Sequence, residues 1–167
     1  MGFEDETWLH LQPYITRTYM MKRGEQQKIL HKGSNDKVNV FITLLLYPLN
    51  GIKFNTSKTR NSNDFINHLN SIKRYVLKRS IKRFILVIGN ASFHVSKKTK
   101  QFIERQSEDW LTVLFLPTHA PFLNPVETKV NRNLKKDICA NYNYETEDNL
   151  LCTVRSYLRC MGSWPKI

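Results

Sequence analysis

Cysteine is too scarce in this chain to staple it. Cys139, Cys152 and Cys160 are the only three, an odd number with no CxxC pair. That excludes a disulfide framework and a zinc site of paired cysteines, and it predicts reduced thiols in a cytoplasmic protein. Long apolar runs are missing too. The longest, Val38 to Tyr47, is interrupted by Asn39 and falls short of the ~20 residues a membrane helix needs, so no membrane partner is expected. No charged-then-apolar leader opens the sequence. Met1-Gly2 is not a myristoylation signal, because Glu6 stands where that motif needs Ser or Thr. Internal repeats and low-complexity tracts are absent. Acidic side chains are outnumbered, 14 against 26 Lys and Arg, leaving a net charge of +12. Such a surplus points to a polyanionic partner, of which nucleic acid is the commonest.

What is present suits one globular domain. The 167 residues are 41% hydrophobic and 24% charged, enough to bury a core without covalent help. The pattern predicts a strand over Phe3–Leu11 ended by Pro13, a short strand over Tyr19–Met21, and a hairpin of Val38–Tyr47 and Ile52–Thr56 turning at Pro48–Gly51. Phe65, Ile66, Leu69, Ile72, Val76 and Leu77 then recur at helical spacing, with Ser62 or Asn63 as the N-cap. Phe84–Ile88 and Leu111–Leu116 read as buried strands with helices on either side. Ser96 caps a helix through Arg105, and further helices are expected over Pro125–Cys139 and Glu145–Arg159. The sum is an α/β fold, a mixed five-stranded sheet with helices on both faces, spanning residues 1–160 with a loose tail over 161–167.

Open α/β sheets place their chemistry beyond strand ends, where loops lead into helices. Asp5 and Glu6 in the first strand, the Gly89-Asn90-Ala-Ser-Phe-His94 turn, and Leu123-Asn124-Pro125-Val-Glu127 before a helix qualify. Each also has a plain structural reading. Gly89-Asn90 suits a turn, and Asn124 at N-cap, Pro125 at N1 and Glu127 at N3 resembles a capping box. Trp8, Trp110 and Trp164 read as core or edge aromatics. His94 and His119 flank the site, His94 in a hydrogen-bonding or packing role.

Taken together and in order, the blocks Phe3-Glu-Asp-Glu6, Phe84 to His94, and Leu114 to Glu127 with Asn133-Leu-Lys-Lys136 resemble the catalytic domain of DDE transposases. The branch they look like is the prokaryotic insertion-sequence branch of the Tc/mariner superfamily. The resemblance runs from Phe3 to about Leu150 and implies a ribonuclease-H-like fold. It also implies two Mg²⁺ or Mn²⁺ ions that cut and join DNA at element ends. Carried over position by position, Asp5 is the first catalytic carboxylate and metal ligand and Glu127 the third. Asn90, His94, Asn124 and Pro125 belong to the supporting motifs. Gly89 stands where the family has its second Asp, which implies a crippled site; the alternative is a non-catalytic DNA-binding or partner-binding remnant. Relatives carry helix-turn-helix domains ahead of this one, and the sequence holds none, so sequence-specific end recognition is not expected. DNA contacts fall to Lys97 and Lys98, and above all to Lys129, Arg132, Lys135 and Lys136 as a stripe along the Glu127 helix. The basic group from Lys73 to Arg83 is the weaker choice. A homodimer or a full-length transposase is the protein partner implied.

Overall fold

The computed structural model describes residues 1–16, 33 and 35–162. The predicted strand Tyr19–Met21, Trp164 and the last five residues lie outside them. Five strands form one mixed sheet in the order β3-β2-β1-β4-β5, with β1 Gly2–His10, β2 Lys37–Leu45, β3 Gly51–Ser57, β4 Phe84–Ile88 and β5 Leu111–Phe115. The β1–β2–β3 meander is antiparallel, as the hairpin pattern requires, whereas β4 and β5 run parallel to β1 through helical crossovers.

Helices cover the sheet from both sides. Helix α1 (Ser62–Leu77) and α2 (Lys97–Ser107) lie on one face, where Phe65, Leu69, Ile72 and Val76 meet Phe41, Leu45, Phe84, Leu86 and Ile88. Trp110 is fully buried there, its indole N–H donating to Gln106 Oε1 at 2.9 Å. On the other face lie α3, the helical run 126–139, and α4 (Glu147–Gly162), which pack Val126, Val130, Leu134, Val154 and Leu158 against Leu9, Val40 and Ile42.

Several local expectations change. Asn61, not Ser62 or Asn63, caps α1: its Oδ1 accepts from Asn63 N at 2.8 Å and Asp64 N at 3.1 Å, while the Ser62 hydroxyl bonds the Ser96 hydroxyl instead. Ser96 caps α2 as expected. Thr146 closes the first turn of α4, which runs on through Gly162, so Met161 belongs to the core rather than to a tail. The face of β4 and β5 turned away from α1 and α2 is open. Ile85 is 40% and Leu114 50% exposed, because α3 and α4 sit over β1–β3 and stop short of the last two strands. These two strands are therefore not buried on both sides.

The ladder between β1 and β4 consists of two pairs, Gly2 with Leu86 and Phe3 with Val87. β4 ends one residue further on, while β1 continues to His10 and α3 packs beside it. A cleft opens where the two strands part company.

Candidate active site

Strand alternation sorts the acidic residues of β1 onto opposite faces. Asp5 shares its face with Phe3 and Leu9 and meets α3; Glu4 and Glu6 share theirs with Phe41 and Thr43 and meet α1. The start of α3 is fastened to β1 by Asn124, whose Nδ2 donates to the Glu4 carbonyl at 2.9 Å and whose Oδ1 accepts from Val126 N at 3.1 Å. Asn124 thus caps the helix as the sequence suggests, but the second half of a capping box is missing. The Asn124 amide is bonded to Pro121 O, and the Glu127 carboxylate turns to the cleft.

There it meets Asp5. Asn131 Nδ2 donates to Asp5 Oδ2 at 2.8 Å and to Glu127 Oε2 at 3.0 Å, and so bridges the two carboxylates. Burial, with the Glu127 hydrogen bond and the Glu6 and Glu127 charges behind it, pushes the Asp5 carboxyl up to about 8. Burial raises Glu127 too, but bonds from Asn131 and Asp5 and the charge of Lys135 outweigh it and hold Glu127 below the ordinary carboxylate range. The pair therefore shares one proton near neutrality, carried by Asp5. Asn131, fully buried and with its Oδ1 unpartnered, is a site residue that sequence reasoning missed. Its signal was its place four residues after Glu127. The winding there is unusual, since Val126–Asn131 and Lys135–Cys139 are π-helical with α-helix only over Arg132–Leu134.

Continuing the β1–β4 register past its last pair sets Gly89 level with Asp5, on the same face. Gly89 offers no ligand, yet among the described residues nothing beyond its chain neighbours lies within 4 Å of where a Cβ would stand. Asn90 lies past the end of β4; its Nδ2 donates to Leu116 O at 2.6 Å and ties the two strand ends together. A cavity of about 390 Å³ collects these groups, lined by Asp5, Gly89, Asn90, His119, Asn124 and Glu127 among others. His119 reaches it from a left-handed backbone position, φ 59°.

His94 does not reach the cavity. It is 1% exposed, its Nδ1 donates to Gly89 O at 2.8 Å, and its Nε2 faces Glu6 and, at 3.4 Å, Glu4 Oε2. These contacts clamp the Gly89 turn to β1. Glu4, which the sequence did not single out, is wholly buried, and burial with the charges of Glu6 and Asp5 raises its carboxyl well above the ordinary range. Glu4, Glu6 and His94 bring ligand atoms within 4.8 Å of one another, the composition of a cation site, but on the α1 face and away from the cleft. Nearby, burial, Lys53 and His94 drive His68 down to about 3, so its neutral ring donates from Nδ1 to Asn55 Oδ1 and accepts at Nε2 from Thr43.

The basic residues divide. Arg132, Lys135 and Lys136 line a second groove of about 550 Å³ that shares Pro121 and Glu127 with the cavity. Lys129, exposed on the same helix, is not among the residues lining it, which on this helix beyond Glu127 are Thr128, Arg132, Lys135 and Lys136. Lys97 and Lys98 open α2, and Lys98 bonds Asn63. The Lys73–Arg83 group sits at the start of β4, the opposite end from the cavity, with Lys73 paired to Asp109 and Arg83 bonded to Ser107 O. Trp8 is an edge aromatic flanked by Arg60 at 4.8 Å and Lys135 at 5.5 Å. Among the described residues no helix is long and apolar enough to cross a membrane.

Comparison with known proteins bears on this arrangement. The fold matches the mariner Mos1 transposase in its paired-end complex with Mg, at a TM-score of 0.74 and 15% identity over 95% of this chain and 48% of that one. It matches the paired-end complex with the left transposon end at 0.72 and 16%, covering 47% of that chain. The isolated Mos1 catalytic domain matches at 0.64 and 14%, with 69% of it covered. The chain thus spans about half the length of the full transposase chains and shares their ribonuclease-H-like fold. No curated protein matches it by sequence. Residues 1–151 match the family of DDE superfamily endonucleases, and the chain belongs to that family.

Proposed function

We propose that this chain is the catalytic domain of a transposase of the prokaryotic insertion-sequence kind, shaped to cleave and join DNA at element ends. In this reading Gly89 has disabled its second metal position. The observation that carries it is the convergence of Asp5 and Glu127, from the first strand and from α3, on one open cavity beside Gly89. The donor set fits one hard divalent cation. Two carboxylates are already drawn together, Asn131 Nδ2 stands between them where a positive group is wanted, and the cleft leaves room for waters. It does not fit the two ions that the family resemblance implies, since Gly89 brings no ligand and, among the described residues, no atom beyond its chain neighbours lies within 4 Å of where its Cβ would stand.

Bound Mg²⁺ or Mn²⁺ would supply Lewis-acid stabilisation of an attacking or leaving oxygen. The chain's own residues do the rest. Asp5 carries the pair's proton, Glu127 stays ionised, and Asn131 holds the two carboxyl groups side by side. His94 and Asn90 fix the turn that carries position 89. Arg132, Lys135 and Lys136 supply the positive wall for the phosphate backbone.

Isothermal titration of Mn²⁺ into wild type, Gly89→Asp and Asp5→Asn tests the reading. Weak single-ion binding by wild type, tighter binding with a second ion by Gly89→Asp, and none by Asp5→Asn support it. Only Gly89→Asp should then nick duplex DNA in Mn²⁺. Two-ion binding and nicking by wild type at the rate of Gly89→Asp would overturn the proposed defect, and binding unaffected by Asp5→Asn would overturn the site. A DNA-binding protein without cleavage is the second reading, favoured by the same glycine; retained DNA affinity with no gain of nicking in Gly89→Asp distinguishes it.

A further inference from the structure

The groove beside α3 is built differently from the cavity it adjoins. One wall is basic, from Arg132, Lys135 and Lys136; the other is aromatic, from Tyr14 and Phe122. Phe122 is 71% exposed, an unusual position for a large apolar ring. Tyr14, by contrast, is held by its backbone: its N–H donates to Cys139 O at 2.9 Å and its carbonyl accepts from Asn141 N at 2.9 Å. Asn141 is in turn bonded to Thr16 through both its amide groups. The aromatic side therefore has one ring on an anchored backbone and one exposed ring, and the volume of about 550 Å³ falls within the ~300–1,000 Å³ typical of sites for small organic groups.

Glu127 and Pro121 line both spaces, so the groove adjoins the position of a phosphate brought to Asp5 and Glu127. Basic groups answer its phosphate, and aromatic faces answer a base. In a duplex the base faces are stacked on one another and only their edges are offered, so aromatic walls find a partner only where a base is unpaired. We propose that the groove between Tyr14, Phe122 and the basic side of α3 is a binding site for an unpaired nucleotide of the DNA strand presented to Asp5 and Glu127. The inference rests on the DNA reading given above and adds to it a preference for strand ends or unpaired positions over intact duplex.

Fluorescence anisotropy in EDTA, with blunt duplexes and with duplexes carrying a single-stranded 3′ overhang, tests it. Wild type should favour the overhang, and an abasic overhang, which keeps the phosphates and removes the bases, should lose that preference. Phe122→Ala should weaken overhang binding about 5- to 150-fold, the usual range for one stacked base, and leave blunt-duplex affinity and its salt slope unchanged. Its exposure makes loss of folding no rival explanation. An overhang bearing 5-iododeoxyuridine should crosslink to Tyr14 or Phe122 on irradiation. Equal affinity for blunt, overhang and abasic DNA, or an equal loss for all three in Phe122→Ala, would overturn the groove assignment while leaving the DNA reading standing. Failure of wild type to bind any of them would sink both.

Discussion

Replacing Asp5 by Asn should make the apoprotein more stable, and more so as the pH rises. The folded state holds the Asp5 carboxyl at about 8, against 3.8 for the free side chain, so between those values the native chain binds a proton that the unfolded chain has released. Stability then falls with rising pH across that window. The contribution is intact below about pH 4 and fully lost above about pH 8. At ~1.4 kcal/mol per pH unit the full span approaches 6 kcal/mol, and because the lowered Glu127 returns part of it, a net ~2–5 kcal/mol is expected. Asn is nearly isosteric, can still accept from Asn131, and has no proton to lose. Thermal unfolding in EDTA should therefore show wild type and Asp5→Asn alike near pH 4. By pH 9 the variant should be ahead by about 4–20 °C, taking ~2–4 °C per kcal/mol for a chain of this size. Saturating Mn²⁺ should close the gap by stabilising wild type alone. A variant that melts lower than wild type at pH 9, or two parallel pH profiles, would refute the account of Asp5 as a destabilised ligand.

Three other outcomes follow from the same geometry. Asn131→Leu removes both donors that bridge Asp5 and Glu127, and urea unfolding at pH 8.5 should show a loss of about 2–3 kcal/mol, most of it recovered at pH 5 where the pair is less charged. His94→Ala leaves Glu4 and Glu6 buried without their partner and frees the Gly89 carbonyl; a loss of roughly 3–5 kcal/mol is expected, with hydrogen exchange faster over residues 89–95 than over α4. Lys136→Ala should weaken duplex binding and lower the slope of log affinity against log salt by about 1, while Lys73→Ala, paired to Asp109 at the far end of the sheet, should change neither.

Much of this molecule could be read from its amino acids because the signals were local. The Val38–Thr56 hairpin, the 3.6-residue rhythm of Phe65 to Val76 and the Ser96 cap each state their own structure. Asp5, Gly89 and Glu127 were legible as a set only through their motifs and order; nothing local says that they meet. What escaped reading depends on contacts between distant segments. Glu4 is two residues from Glu6 on an ordinary-looking acidic strand, and its surroundings include His94, which arrives from the turn after β4. Asn131 matters because π-winding and Asn124 together aim it at Asp5. Ile85 and Leu114 looked buried because their runs are apolar, but coverage of a strand is decided by where the helices stop, and α3 and α4 stop over β1.

The parting of β1 from β4 after two pairs has a consequence for how such a protein ages. In a packed core, trading a carboxylate for glycine leaves a void or an unpaired partner, and the loss of chemistry is felt as loss of fold. Position 89 lies in the gap between diverging strands, where among the described residues nothing beyond its chain neighbours stands within 4 Å of a Cβ, so the exchange opens no hole in the packing. Quality control that recognises unfolded chains has no grounds to remove the product. A site can in this way lose a side chain in a single step while the protein that carries it stays soundly folded.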